Sequence, residues 1–280
     1  MRRFFYLLSG ILIVLSLQSC ALTLLDWVTP TSGYTLQADI AYGEHKRQRL
    51  DVYSPTQTTP KKQTLVFFYG GAWDSGNKDD YRFVAQAFAA QGYEVVIPDY
   101  RLYPEIKFPA FVNDAAASVK WVSQYTQNPI VLMGHSAGAH IAAMLALNNQ
   151  FLNEVNFDRS RLAGWVGLSG PYDFLPFTSA TVRDIFSAIN TPEESQPIHY
   201  ANQKGIPALL LHGEDDTRVL PKNSKNLAVA LREFDTALTE KYYTDAGHAE
   251  TVSGISVRLR DKSPSFDDIL AFLSSLEESP

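Results

Sequence analysis

At 280 residues, with 45% hydrophobic and 19% charged side chains, the chain has the composition of a globular protein with ample core for one large α/β domain or two small ones. A net charge of −6 argues against general nucleic-acid binding, and a single cysteine excludes an internal disulfide, so core packing alone must hold the fold. No repeat or low-complexity segment is present.

The first residues read as a targeting segment. Arg2 and Arg3 give a basic start, and Phe4 to Leu17 is an apolar run of fourteen residues interrupted by Ser9, Gly10 and Ser16. That run is too short and broken for a comfortable membrane span and fits a secretory signal. It ends in Leu17-Gln18-Ser19-Cys20, which resembles a bacterial lipobox, where the cysteine thiol is acylated and becomes the mature N-terminus. The other reading is an ordinary signal peptide or uncleaved anchor, with Cys20 incidental. The position of the sole cysteine favours lipidation at Cys20. Residues 1–19 are then a lipoprotein signal peptide, 20–33 an N-terminal anchor segment and 34–280 the folded domain. Loss of residues 1–19 leaves 22 basic against 30 acidic side chains, a formal −8. The expected location is the bacterial cell envelope, on a membrane surface through the lipid anchor and without crossing it. Ala21, where an Asp would retain a lipoprotein, allows passage to the outer membrane by resemblance to lipoproteins of diderm bacteria.

Tyr34 to Tyr42 and Arg49 to Tyr53 alternate apolar and polar residues around Gly43-Glu44-His45, the pattern of an antiparallel hairpin. Thr56 to Lys62 reads as an exposed loop. Leu65 to Tyr69 is an apolar strand, Tyr81 to Ala90 a helix stopped by Gly92, and Tyr93 to Ile97 a strand. Phe111 to Tyr125 has helical spacing, and Ile130 to Met133 is another strand. Further strands are expected at Leu162 to Ser169, Ala208 to Leu211 and Glu240 to Tyr243, with helices at Pro221 to Phe234 and Phe266 to Leu276. This alternation predicts one α/β domain, a mostly parallel eight-stranded sheet with helices on both faces and an antiparallel start. Residues 171–205, rich in Pro, Phe, Tyr and Ser, are longer than a plain connection and are a candidate small lid.

Chemistry centres on Gly134-His135-Ser136-Ala137-Gly138, a G-x-S-x-G run between the strand at Ile130 and the Ala/Leu/Met-rich helix of His140 to Leu147. A serine on such a strand–turn–helix is strained and lifted clear of the sheet, so its neighbours two residues away must be small. The helix start aims N–H groups and its positive end at the same place. The alternative is a flexible glycine turn. An acyl-transfer site also needs N–H donors for the oxyanion. Gly71 and Ala72, on the turn after the third strand, and Ala137, directly after the serine, are the candidates, although Gly70-Gly71 also suits a plain tight turn.

Tyr69-Gly70-Gly71-Ala72-Trp73, Asp99 to Glu105, Phe108-Pro109-Ala110 and Asp114 together resemble α/β-hydrolases of the hormone-sensitive-lipase-like group. The nearest branch resembles small bacterial carboxylesterases related to feruloyl esterases and kynurenine formamidase, over about residues 35 to 275. The resemblance implies the α/β-hydrolase fold, no metal, no organic cofactor and hydrolysis through an acyl-enzyme. One departure stands out. The family's turn usually starts with His and three glycines, whereas Tyr69 replaces the His and Ala72 the last Gly, so a tyrosine hydroxyl is expected to brace the loop differently. Arg101 and Asp114 are expected to pair as structural ions. Trp73, Tyr103 and Phe108 belong either to the pocket lining or to the core.

The serine needs a base, and the base a carboxylate. In this fold the chain order is Ser, Asp or Glu, then His. His45, His135 and His140 do not follow a carboxylate after the nucleophile, His199 lies in the candidate lid, and His212 ends a strand where it braces a turn. His248, in the loop after the last strand, is the expected base. His212 to Val219 matches the family's His-Gly-x-x-Asp-x-x-Val, which implies Asp216 as the acid rather than Glu214 or Asp215. The sequence thus predicts a serine hydrolase of small carboxylic esters, with an amidase or formamidase as the alternative within enzymes. A non-catalytic binding protein that kept the fold, or a structural envelope lipoprotein, is the alternative outside them. A small-molecule ester and a membrane are the expected partners; the oligomeric state is left open.

Overall fold

The computed structural model describes residue 25 and residues 28–277. The signal and lipobox expectations, from Arg2 to Cys20, lie outside the described residues. Among the described residues, no helix is long and apolar enough to cross a membrane.

The strands are β1 (Tyr34–Ala41), β2 (Arg49–Pro55), β3 (Thr64–Phe68), β4 (Glu94–Pro98), β5 (Ile130–His135), β6 (Leu162–Leu168), β7 (Ala208–Gly213) and β8 (Leu238–Tyr243). They form one eight-stranded sheet in the order β1-β2-β4-β3-β5-β6-β7-β8. β1 and β2 pair antiparallel, as do β2 and β4, and every later pair is parallel. This is the mostly parallel sheet that the alternation of strands and helices predicts, and the α/β-hydrolase fold that the resemblance implies. β3 and β5 are apolar and buried along their whole length because helices cover both faces of a central parallel strand. β1, by contrast, is mostly exposed at the sheet edge, and its register breaks at a bulge where Asp39 has a φ of 56°.

The order β4-β3-β5 places the functional crevice. From β3 the chain crosses to β4 on one side, while β5 lies on the other, so the loops leaving β3 and β5 diverge at their carboxyl ends. Two helices precede the crevice in the chain, α1 (Arg82–Ala89) and α2 (Ala110–Tyr125). α3 (Ala137–Leu147) follows β5 and is buried over its whole length, which accounts for its Ala-Gly-Ala-His-Ile-Ala-Ala-Met composition without a polar face. α4 (Asn149–Glu154), α5 (Ala180–Ile185), α6 (Lys222–Glu233), α7 (Glu250–Ser253) and α8 (Ser265–Glu277) follow in chain order. The core includes Phe67, Phe68, Phe88, Phe111 and Trp165, all fully buried, at about 1.5–3 kcal/mol for each large apolar side chain.

Two charge clusters pin the loops near the crevice. Lys78, buried, lies 2.9 Å from Asp39, 3.0 Å from the buried Asp51 and 2.9 Å from Asp79, which ties the β1 bulge to the chain after the Gly70 turn. Arg101 grips Asp114 with Nη2 at 2.8 Å and Nε at 2.9 Å, and its own N–H reaches the same carboxylate at 2.9 Å. The expected structural pairing of Arg101 and Asp114 is therefore present. Residues 171–205 carry α5 and two short 3-10 turns, Pro192–Ser195 and Pro197–Tyr200. Lys107 fastens this segment to Asp184 at 2.7 Å, and the Phe108 N–H donates to the Ile185 carbonyl at 2.9 Å.

Candidate active site

Ser136 sits between β5 and α3 with φ 55° and ψ −120°, a conformation that side chains other than glycine rarely adopt. Its neighbours show why it survives there. A Cβ on Gly134 would come within 2.2 Å of the Gly138 carbonyl oxygen, and one on Gly138 within 2.0 Å of the Phe68 carbonyl oxygen. The turn is thus closed by backbone against backbone, and only hydrogen fits at either position. The Ser136 N–H continues the β5–β6 ladder to the Leu168 carbonyl at 2.9 Å, which holds the strained residue in place.

Two loops meet this serine. His248, between β8 and α7, has Nε2 at 2.9 Å from Ser136 Oγ and Nδ1 at 2.7 Å from Asp216 Oδ2. A carboxylate accepts, so Nδ1 carries the hydrogen and Nε2 presents a free lone pair to Ser136 Oγ. Asp216, on the loop after β7, is buried and saturated. Its Oδ1 accepts the N–H groups of Arg218 and Val219, each at 2.9 Å, and its Oδ2 also lies 3.2 Å from His212 Nε2. Burial works to raise the Asp216 pKa, but the hydrogen bonds from His212 and His248 outweigh it and hold the carboxyl well below the usual carboxylate range. His212 is itself wedged, with Nε2 donating to the Val219 carbonyl at 2.8 Å and Nδ1 accepting from Ser224 Oγ at 2.7 Å. It braces the acid loop from inside.

The turn after β3 abuts Ser136. A Cβ on Gly70 would lie 3.1 Å from Ser136 Cβ, and the next three residues run through positive φ: Gly71 at 134°, Ala72 at 48° and Trp73 at 63°. The Gly71 and Ala72 amides belong to this turn, and the Ala137 amide, at the start of α3, has no acceptor within its helix. Cys20, the remaining candidate, lies outside the described residues. Among the described residues no group of three or more His, Cys, Asp or Glu side chains could hold a metal ion.

Behind the turn the Tyr69 hydroxyl braces the loop as expected, through partners that sequence reasoning missed. The buried Tyr69 hydroxyl accepts from Arg47 Nη2 at 2.8 Å and donates to Asp99 Oδ1 at 2.8 Å, and that oxygen also accepts the Lys78 N–H at 2.8 Å. Arg47 further reaches the Gly76 carbonyl at 2.9 Å. Tyr69 is stacked on Tyr100, ring centroids 4.6 Å apart, while the Tyr100 hydroxyl donates to the Tyr69 carbonyl at 2.8 Å. Burial pushes the Asp99 carboxyl up, partly offset by the Tyr69 hydroxyl. Nothing in the local pattern at Tyr69 announces Arg47, which comes from the β1–β2 turn.

Trp73 and Phe108 are buried, and Tyr103 is half-buried with its hydroxyl donating to Asp184 Oδ2 at 2.9 Å. Trp73 meets His140, Phe174 and Phe186 at ring distances of 5.1, 5.9 and 4.9 Å. The His140 ring, one turn along α3 from Ser136, donates Nε2–H to the Ser195 carbonyl at 2.8 Å, and burial lowers its pKa to about 4.

Known proteins bear on the family and the fold. A family model described as BD-FAE matches residues 50–231. A probable isoprenylcysteine alpha-carbonyl methylesterase of Arabidopsis thaliana is 31% identical over 244 residues, 77% of this chain and 51% of its own length. Kynurenine formamidase of Danio rerio is 32% identical over 148 residues, 52% of this chain and 50% of its own. The chain spans about half to three-fifths of the length of the curated relatives it matches first. Among solved structures, an inhibited esterase B from Lactobacillus rhamnosis superposes with a TM-score of 0.82 at 17% identity, covering 97% of this chain and 96% of that one.

Proposed function

The chain belongs to the BD-FAE family of α/β-hydrolase-fold esterases, and from that membership and the contacts at Ser136 we propose that it is a serine hydrolase of small carboxylic esters. One observation carries the reading. Ser136 Oγ, His248 and Asp216 form an unbroken hydrogen-bonded chain of 2.9 and 2.7 Å beside a turn rich in positive φ. In the reaction, Ser136 Oγ attacks the ester carbonyl and passes its proton to His248 Nε2. Asp216 keeps Nδ1–H oriented and stabilises the imidazolium. The amides of Gly71, Ala72 and Ala137 receive the oxyanion, a contribution of about 10²–10³ in rate per donor. The alcohol leaves with the proton from His248, and water, deprotonated by the same ring, releases the acid from the acyl-enzyme.

Residues 171–205 are assigned as a small lid on the site. Support comes from Phe174 and Phe186 packing on Trp73 and from the Lys107–Asp184 tie. Lipidation at Cys20 adds an envelope tether, supported by the Leu17 to Cys20 pattern; exchange of Cys20 for Ala is expected to move the protein from the detergent phase to the aqueous phase on phase separation.

A second reading, an amide or formamide hydrolase, is kept by the formamidase relative, whose identity over its matched span equals that of the methylesterase within about one point. Turnover of p-nitrophenyl acetate, butyrate and octanoate beside an N-formyl arylamine separates the two. The ester reading expects ester turnover with a preference for the short acyl chains. Exclusive turnover of the formyl amide would replace it with the second.

A further inference from the structure

His135, next to the nucleophile in the chain, has no part in the acyl transfer, yet its ring touches both the His248 loop and the turn after β3. Its Nε2 lies 3.0 Å from the His248 carbonyl oxygen. A carbonyl only accepts, so Nε2 carries the hydrogen. Burial brings the ring's pKa down to about 3 and keeps it neutral, so with the hydrogen on Nε2 its Nδ1 is unprotonated. The Nδ1 edge faces the other way. A Cβ on Gly70 would lie 2.9 Å from it, so the ring also backs the turn after β3.

The His248 loop needs such a hold. The side chain of His248 must meet Ser136 at 2.9 Å and Asp216 at 2.7 Å together, and it does so from a short loop between β8 and α7. Asp216 fixes the rotation of the ring; the position of the backbone is a separate matter. Two donors converge on the His248 carbonyl: His135 from the end of β5, and Thr251 Oγ1 from α7 at 3.2 Å. Thr251 is in turn held by Ser169 Oγ at 2.9 Å, just beyond β6. Of the two, only His135 is rigidly continuous with the nucleophile.

We propose that His135 is a positioning residue that sets the distance between base and nucleophile by donating Nε2–H to the His248 carbonyl. The inference rests on the reading of Ser136, His248 and Asp216 as the reacting set. The ring acts through His248, so its loss falls on kcat and leaves KM in place. A displacement of the base by about 1 Å is enough to lower the rate about 100-fold. A core-filling role would instead tolerate an apolar side chain of similar size.

The experiment uses the full-length chain with p-nitrophenyl acetate and compares His135→Leu, His135→Gln and His135→Asn. The glutamine amide reaches roughly the place of Nε2, whereas the shorter asparagine amide leaves that place empty. Expected are a fall in kcat of about 10–100-fold for Leu and Asn, KM within about twofold, and recovery by Gln to within about fivefold of wild type. Equal kcat in Leu and wild type would overturn the inference. Should Leu fail to fold, the Gln and Asn pair decides, and equal kcat in those two would overturn it as well. A wild-type chain without turnover would contradict the underlying esterase reading itself, an outcome distinct from active wild type with indifferent variants.

Discussion

The elbow at Ser136 and the turn from Gly70 to Trp73 face each other across the crevice, and each holds residues at positive φ. Their supports differ in kind. The elbow is closed locally, by backbone packed on backbone at Gly134 and Gly138 and by one ladder bond to Leu168. The turn is held from a distance, by Arg47, Tyr69, Asp99 and the Lys78 cluster, which come from segments far apart in the chain. Steric closure admits almost no substitution. A polar network admits many, provided that each buried group keeps a partner.

The difference can be broken from the elbow side first. Gly138→Ala must displace the Phe68 carbonyl, 2.0 Å from the new Cβ, and is expected to cost about 3 kcal/mol or more, or to abolish folding, as read by urea unfolding. On the other side, Lys78→Met leaves Asp51 buried without its cation. An expected loss of about 3 kcal/mol follows, visible as a lowered urea midpoint, while Lys78→Met combined with Asp51→Leu recovers part of it.

The next effect is a pH dependence that belongs to the elbow side. His135 and His140 are buried and neutral, with pKa values lowered to about 3 and about 4. The unfolded chain takes up protons on both below about pH 6.5 and the folded chain does not. The stability from neutral burial is therefore complete above pH 6.5 and is lost as pH falls towards 4. Each ring contributes a slope of about 1.4 kcal/mol per pH unit in that window. Asp216, depressed by its hydrogen bonds, acts only below the ordinary carboxylate range and does not mask the effect. Urea unfolding between pH 7.5 and 5 is expected to show the decline, and His135→Gln to remove the His135 share of its slope. The smallest effect is Tyr69→Phe, which removes the hydroxyl shared by Arg47 and Asp99 but keeps the stack on Tyr100. A stability loss of about 1–2 kcal/mol is expected, with a fall in kcat larger than any change in KM.

The same contrast explains what could be read from the sequence. The eight strands follow from apolar runs and their alternation with helices, because burial on both faces leaves a compositional trace in a short window. The elbow is legible for a similar reason: its constraint lies within five residues. Boundaries were less so. α3 begins at Ala137 rather than His140, and β8 at Leu238 rather than Glu240, since caps and edges respond to neighbours that the pattern does not contain. Tyr69 stood out only as a departure from its family's turn, and its partner Arg47 left no signal. Chain order excludes His135 as the base, although its place inside the pentapeptide puts it beside Ser136. The end of a strand marks His212 as a brace, and its distance of 3.2 Å from Asp216 adds what it braces.

The central claim is that Ser136 is the nucleophile. It is tested most directly by treating the full-length chain with a fluorophosphonate and locating the adduct by peptide mass spectrometry. Expected are a single adduct on the peptide containing Ser136, loss of p-nitrophenyl acetate turnover in step with labelling, and neither label nor turnover in Ser136→Ala. Turnover that survives in Ser136→Ala, or an adduct on another serine that tracks the loss of activity, would contradict it.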